Sequence, residues 1–256
     1  MAWYEGTIPN TSTGVILSIL DSILPLNQYW SIYDNAAGTN KTVYKNECSA
    51  KNSLFYLEVD NNYSGYFLAR LWEGWNTETH AGVGASTSQG RFNFQAGGYG
   101  IAQNDTRVIF GAKTSGTACY FGQPKRFVET LNMPYIVVIQ GTGTTNQYNP
   151  LGLFGETTGC CLRRLLFGYS GGSDRVGSLL WWAYSDTRPL KTPNSLVLLE
   201  EQLIIENNEK LVGRQDGVIT AGYSSGEFSN QDVVWEGDIG WLIFKGSNGC
   251  CLVRMA

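Results

Sequence analysis

Apolar residues near the N-terminus recur with the period of a helix. They occupy positions spaced i, i+3, i+4, i+7 and i+8, namely Ile16, Ile19, Leu20, Ile23 and Leu24. Thr11, Ser12 and Thr13 offer side-chain oxygens that can cap the first turn, and Pro25 does not continue the hydrogen-bond ladder. The pattern predicts one short amphipathic helix. We favour packing of its apolar face in the chain's own core over docking on another subunit.

Beyond Leu26 the hydrophobic period changes to two, the period of a strand. Phe55, Leu57 and Val59 alternate with Tyr56, Glu58 and Asp60. Other short strand candidates follow the same logic: Tyr29–Tyr33, Tyr66–Trp72, Arg107–Gly111, Ala118–Phe121, Tyr135–Ile139, Cys161–Phe167, Leu179–Tyr184, Leu196–Leu199, Val233–Glu236, Trp241–Lys245 and Cys251–Arg254. Segments rich in glycine and serine, such as Gly97-Gly98 and Gly171-Gly172-Ser173, are interpreted as the turns between them.

Short strands separated by frequent turns favour antiparallel sheets over parallel βαβ units. The sequence therefore predicts a mainly β fold, an antiparallel β-sandwich or barrel-like sheets, with one short N-terminal amphipathic helix. We divide the chain into an N-terminal arm and helix, 1–28, and a β-rich body, 29–256. If the body has two subdomains, the boundary falls near 141–150, where glycines and polar residues concentrate.

Composition narrows the classes of function. Aromatic residues make up 13% of the chain and charged residues only 16%, below the usual quarter, which suits a protein rich in contacts between subunits. The net charge of −4 provides no cationic field for nucleic acid. We also expect neither a signal peptide nor a membrane span, because Asp21 and Pro25 interrupt the most apolar N-terminal segment.

The six cysteines lack the spacing of a zinc site. They include two similar phrases, Gly159-Cys160-Cys161-Leu162 and Gly249-Cys250-Cys251-Leu252. Adjacent cysteines do not bond readily to each other, so each pair would need partners elsewhere, and a disulfide between the two phrases is possible if they lie on neighbouring strands. A chain of this length has no need of such a cross-link, and we expect packed, reduced thiols and no metal.

Catalytic motifs are weak in this sequence. His80 is the one histidine, and it lies in a polar segment that we interpret as an exposed loop. The glycines at Gly82-Val83-Gly84 do not complete a phosphate-binding loop and are interpreted as a β-turn. Glu200 and Glu201 are adjacent on a strand and face opposite sides, so they do not form a glycosidase pair. We therefore predict no catalytic residues and no cofactor.

Tryptophans and one helix face are the candidate contact residues. Exposed indole rings stack on sugars or anchor protein interfaces, whereas buried rings fill a core, which is the more common outcome. The candidates for an interface or for ligand stacking are Ile16, Leu20, Trp72, Trp75, Trp181 and Trp182.

Several phrases in the first half of the chain resemble virion structural proteins of tailed bacteriophages. They are Trp3-Tyr4-Glu5-Gly6, Trp30-Ser31-Ile32-Tyr33-Asp34-Asn35, Tyr66-Phe67-Leu68-Ala69-Arg70-Leu71-Trp72-Glu73-Gly74-Trp75-Asn76 with His80-Ala81-Gly82-Val83-Gly84, and Tyr120-Phe121-Gly122-Gln123-Pro124-Lys125-Arg126-Phe127. The second half is similar only in its strand-rich character, and the double cysteines depart from the family's pattern.

The resemblance implies a component of the virion, made in the host cytoplasm and located in the tail or baseplate. Its expected partners are other virion proteins, with several copies in a symmetric assembly, and it implies no catalytic residue. The first alternative is a carbohydrate- or receptor-binding module of a phage adhesion device, in which tryptophans stack on a host glycan. A glycoside hydrolase is the second alternative, and we favour it less because a fold and aromatic residues alone do not provide an acid–base pair.

Overall fold

The computed structural model describes residues 1–35, 39–51, 53–86, 89–114, 117–123, 125–126, 136–140, 161–163, 197–205, 211–222, 232–245 and 250–255. In this part of the chain, α1 (Val15–Ile23) is followed by a 3-10 turn (Leu24–Leu26), and a second 3-10 turn covers Ser49–Lys51. The strands in chain order are β1 (Ala2–Ile8), β2 (Trp30–Asn35), β3 (Lys41–Cys48), β4 (Ser53–Tyr63), β5 (Tyr66–Asn76), β6 (Ala81–Ser86), β7 (Gly90–Asn93), β8 (Gly97–Gln103), β9 (Arg107–Ala112), β10 (Thr117–Gly122), β11 (Lys125–Arg126), β12 (Ile136–Gln140), β13 (Cys161–Arg163), β14 (Val197–Ile205), β15 (Leu211–Gly222), β16 (Val233–Glu236), β17 (Ile239–Lys245) and β18 (Cys250–Arg254).

The strands form three sheets whose pairs are antiparallel. The first sheet has the order β1-β8-β9-β10-β12, and the second has the order β2-β3-β4-β5-β6 with β7 paired to β5. The third has the order β13-β14-β15-β18-β17-β16, with β11 paired to β15. The predicted mainly β class with one short N-terminal helix is confirmed, and the arrangement is sandwich-like. Among the described residues no helix is long and apolar enough to cross a membrane.

One apolar core joins α1 with the first and second sheets. Phe55, Leu57 and Val59 of β4 are fully buried in it, as their alternation predicted. Rings from the two sheets meet at its centre, where Phe110 of β9 lies 6.0 Å from Phe67 of β5 and is nearly perpendicular to it. Edge-to-face contacts of this kind add to the free energy of burial. Residues 1–28, predicted as an arm and helix, contribute β1 to the first sheet and α1 to this core.

The helix lies where its periodicity predicted, but its cap does not come from residues 11–13. Its N-cap is Gly14, in the left-handed region at φ 77°, with no side-chain cap of its own. The amide of Ile16 instead donates to Oδ1 of Asn61, 45 residues away, at 3.0 Å. The expected cap by Thr11, Ser12 or Thr13 is therefore wrong, because a buried amide on β4 satisfies the first turn instead.

Asn61 links the helix to the hairpin between β4 and β5. Its fully buried side chain donates from Nδ2 to the carbonyls of Tyr63 and Tyr66, at 3.2 Å each. Its backbone carbonyl accepts from the amide of Gly14 at 3.0 Å, and its own amide donates to the carbonyl of Asn40 at 2.7 Å. A single residue thus satisfies backbone groups of three segments that are remote in sequence.

Several strands were missed because glycines interrupt them. Gly97-Gly98 opens β8, and Gly82 and Gly84 lie in β6, so the interpretation of both pairs as turns is wrong. In these sheets an aromatic ring covers a glycine of the adjacent strand: a Cβ on Gly100 would lie 2.3 Å from the ring of Trp3. The same holds for Gly6 under Tyr99. Glycine is needed at these strand positions because any side chain there would overlap the aromatic ring of the neighbouring strand.

Strand order separates the two double-cysteine phrases. Cys161 of β13 pairs with Ile205 of β14, whereas Cys250 of β18 pairs with Ala221 of β15. Two strands therefore lie between β13 and β18, which sets their backbones about 14 Å apart, beyond the reach of a disulfide. Cys48 and Cys119 are buried free thiols, and burial raises the pKa of Cys119 well above its usual value.

Some of the segments for which the sequence made predictions lie outside the described residues. They are 141–150, Leu179–Tyr184, Arg164–Phe167 and Cys160.

Replacing Asn61 with Ala tests the link between helix and hairpin. We expect Asn61→Ala to lower the free energy of unfolding by about 2–4 kcal/mol, because one buried amide and two partly buried carbonyls lose their partner. Asn62→Ala, at the exposed neighbouring position, is the control and should change it by less than about 0.5 kcal/mol. Urea denaturation of both variants measures the difference, and equal values would contradict the proposed role of Asn61.

Candidate functional site

The second sheet has one face in the core and one face turned away from it, here called the outer face. Along β5, Phe67, Ala69 and Leu71 enter the core. Strand alternation therefore places Arg70 and Trp72 on the outer face.

Two tryptophans on this face each donate to a carboxylate on another strand. Nε1 of Trp72 donates to Oε2 of Glu58 at 2.7 Å, and Nε1 of Trp75 donates to Oδ2 of Asp34 at 2.7 Å. The two indole rings lie 6.3 Å apart, at 67° to each other. Asp34 and Glu58 are the direct cross-strand partners of Val43, which lies between them. We call Asp34, Glu58, Trp72 and Trp75 the tryptophan bracket.

Each carboxylate of the bracket also has a basic partner. Nζ of Lys41 lies 2.7 Å from Oε1 of Glu58. Nδ1 of His80 lies 2.8 Å from Oδ2 of Asp34 and 3.1 Å from its Oδ1. Both carboxylates are about nine-tenths buried, so their charges depend on these partners.

The environment of Asp34 favours its charged form. Burial alone would raise the pKa of Asp34, but hydrogen bonds from Trp75 and His80, together with the charges of His80 and Lys41, outweigh it and lower the pKa below its ordinary value. Asp34 is therefore ionised at neutral pH and stays ionised into the acidic range.

His80 lies in a turn, as predicted, but it is not an independent loop side chain. Oδ1 of Asn76 accepts from the amides of Glu78 and Thr79, at 2.8 and 3.1 Å, and fixes the loop. His80 then adopts a left-handed φ of 50°, which returns its half-exposed ring to Asp34. In a catalytic triad, an aspartate bonded to Nδ1 orients the imidazole so that it can act as a general base. Acyl transfer would also need a nucleophile within hydrogen-bond reach of Nε2. Within the described part of the chain, His80 forms its hydrogen bonds through Nδ1 to Asp34.

The Trp72 ring depends on a glycine. A Cβ at Gly82 of β6 would lie 2.0 Å from Cδ2 of Trp72, so the indole is packed directly on the backbone of the adjacent strand. Cζ of Arg70 lies 5.1 Å from the centre of the same ring. With its N–H bonded to Glu58, Trp72 is held in one orientation.

The structure brings together two of the six candidate residues. Trp72 and Trp75 meet on the outer face, where Trp75 is only 8% exposed. Ile16 and Leu20 are buried in the chain's own core, the outcome that we favoured for this face. Trp181 and Trp182 lie outside the described residues. Whether Trp72 and Trp75 bind a ligand stays a prediction.

Sequence reasoning missed four tyrosines that accompany the bracket. Tyr33 and Tyr56 lie 5.0 Å apart, and Tyr63 and Tyr66 stack at 4.5 Å. Each pair has a cation near one ring, Lys45 at Tyr33 and Arg91 at Tyr66, just as Arg70 lies near Trp72. The signal was present in the alternation of β4 and β5, which places Tyr56 and Tyr66 opposite the core residues.

No protein-family model matches the sequence, and no curated protein matches it either.

The lowered pKa of Asp34 predicts a pH-dependent contribution to stability. Because the pKa is lower in the folded state than in the unfolded chain, the contribution is present above about pH 4 and is lost as pH falls through the folded value. We expect Asp34→Asn to lower the free energy of unfolding by about 1–2 kcal/mol at pH 7 and by less at pH 3.

Urea denaturation at both pH values measures this difference. Asp238→Asn, in the exposed turn between β16 and β17, is the control and should have little effect at either pH. An equal loss of stability at pH 7 and pH 3 in Asp34→Asn would show that the charge of Asp34 does not contribute.

Proposed function

We propose that the protein is a non-enzymatic structural component of a tailed-phage particle, in the tail or baseplate, that acts by packing against neighbouring subunits. The observation that carries the proposal is where the residues of the resemblance lie. Its phrases fall on β1, β2, β5, β6, β10 and β11, and they include the buried side chains of Trp30, Phe67, Leu71, Tyr120 and Phe121. Because these residues form strands and fill the core, their resemblance to tailed-phage virion proteins supports an architecture shared with those proteins.

Exposed apolar side chains supply surfaces for contact with neighbours. Trp235 of the edge strand β16 is the clearest case, with 65% of its surface exposed. A large aromatic side chain at the surface is typical of the residues that dominate binding energy in protein interfaces. The low proportion of charged residues is consistent with a protein that buries part of its surface in an assembly.

Presence in purified particles tests the proposal. We expect mass spectrometry of purified virions to detect the chain, and electron cryo-microscopy to show its β body in several symmetric copies in the tail or baseplate. Detection in the infected cell but not in purified particles would contradict the proposal.

The contact role of Trp235 has its own test. Trp235→Glu should lower the amount of the chain in particles about tenfold or more, while its melting temperature stays close to that of the wild type. Asp238→Ser, at a nearby exposed position, should be incorporated normally. Normal incorporation of Trp235→Glu would remove this residue from the proposed interface.

A carbohydrate- or receptor-binding module is the second candidate function. It is favoured by the aromatic residues of the outer face, each pair of which has a nearby cation: Lys45 at Tyr33, Arg70 at Trp72 and Arg91 at Tyr66. Ring faces with adjacent hydrogen-bond donors are the groups that bind sugars. Trp75 is buried and the Trp72 ring packs on Gly82 and lies beside Arg70, so the most exposed rings of this face are those of Tyr33 and Tyr63.

A further inference from the structure

We propose that Tyr63, Tyr66 and Arg91 form a binding subsite for one pyranose ring of a neutral glycan. This subsite deepens the second candidate function, on which it rests, and it is independent of the structural role in the particle. It lies at the tip of the β4–β5 hairpin, away from the tryptophans that the sequence singled out.

The three side chains form a column of flat groups. The rings of Tyr63 and Tyr66 are 4.5 Å apart and nearly parallel, at 13°. Cζ of Arg91 lies 3.7 Å from the centre of the Tyr66 ring. Two groups this close to one ring occupy its opposite faces, so Tyr66 is covered on both sides. Tyr63 is the open end of the column: it is 39% exposed, on the side of its ring that is turned away from Tyr66.

The column is held in place before any ligand arrives. Asn61 donates to the carbonyls on both sides of the Ser64-Gly65 turn. The amide of Gly65 donates to the carbonyl of Thr11 at 2.9 Å, and the carbonyl of Gly65 accepts from the amide of Phe94 at the same distance. Nε of Arg91 donates to Oδ1 of Asn93 at 3.0 Å. A ligand therefore orders few side chains on binding, which favours affinity.

The groups around Tyr63 match the surface of a sugar. A pyranose presents a C–H face that stacks on an aromatic ring and a rim of hydroxyl groups that form hydrogen bonds. The exposed residues on either side of Tyr63, Asn62 and Ser64, are polar, and Oγ of Ser64 lies 3.5 Å from Oγ1 of the partly buried Thr11.

Charge selects a neutral sugar over an acidic one. Asp60 and Arg91 are the cross-strand partners of Leu68 on its two sides, so a carboxylate lies on the same face of the sheet as the guanidinium. Oδ1 of Asp60 accepts from the amide and the Nδ2 group of Asn62 at 3.0 and 2.8 Å. A phosphate or a carboxylated sugar would meet this carboxylate as well as the cation. The net charge of −4 of the whole chain also opposes a nucleic acid.

Saturation-transfer NMR of the full chain tests the subsite, with neutral oligosaccharides of glucose, galactose and N-acetylglucosamine as probes. We expect transfer to at least one probe and at least tenfold weaker binding for Tyr63→Ala. Tyr63→Phe should bind as the wild type does, and Tyr63→Leu, which keeps apolar volume without a flat ring, should bind as weakly as Tyr63→Ala. Arg91→Ala should also weaken binding, because it uncovers the Tyr66 ring.

Ile32→Ala is the matched control, since Ile32 is a comparably exposed apolar residue on the same sheet and has no ring, and it should bind normally. Absence of transfer to every neutral probe, binding of acidic sugars alone, or an equal loss in Ile32→Ala would each overturn the subsite. Incorporation of the wild-type chain into particles is measured in parallel. A wild-type chain that is incorporated but binds no glycan rejects the subsite alone, whereas a wild-type chain that binds glycan but is absent from particles rejects the structural role alone.

Discussion

A buried amide, the side chain of Asn61, bonds to backbone groups of both the helix and the β4–β5 hairpin. It caps α1 in place of a local serine or threonine and closes the hairpin at the carbonyls of Tyr63 and Tyr66. The Asn61 side chain is fully buried, and a buried polar group without a partner would cost about 1–3 kcal/mol. The same contacts fix the hairpin tip that presents the tyrosine column, so the core and the proposed binding surface depend on one residue.

Aromatic rings packed on glycines give this fold a second constraint. Trp3, Tyr99 and Trp72 each cover a glycine of the neighbouring strand, where a Cβ would overlap the ring. On the outer face this packing combines with the carboxylates of Asp34 and Glu58, which hold the indole N–H groups. The high glycine and aromatic content of the chain thus has a structural explanation, and the sheet acquires a rigid face outside its apolar core.

Periodicity was enough to predict α1 and the strand around Phe55–Val59, because each buries a continuous apolar face, and turn residues marked the C-terminal meander. Prediction missed β1, β3, β6, β7, β8, β11 and β15, since in β6 and β8 glycines look like turn residues until the rings that cover them are known. The cap by Asn61 and the pairing of Asp34 with Trp75 and His80 were beyond sequence reasoning, because each joins residues brought together only by strand register. The predicted Trp72 and Trp75 did meet, but the tyrosines beside them were overlooked because tryptophans dominated the choice.

Native-state hydrogen exchange in Asn61→Ala tests most directly whether one side chain couples helix and hairpin. The amides to follow are those of Ile16, which donates to Asn61, and of Gly65 and Phe94, which bond around the hairpin tip. The amide of Asn104, bonded to Arg107 in another turn, is the internal reference. We predict that exchange at Ile16, Gly65 and Phe94 accelerates together while exchange at Asn104 is unchanged. Acceleration at Ile16 alone, with Gly65 and Phe94 as protected as in the wild type, would contradict the coupling.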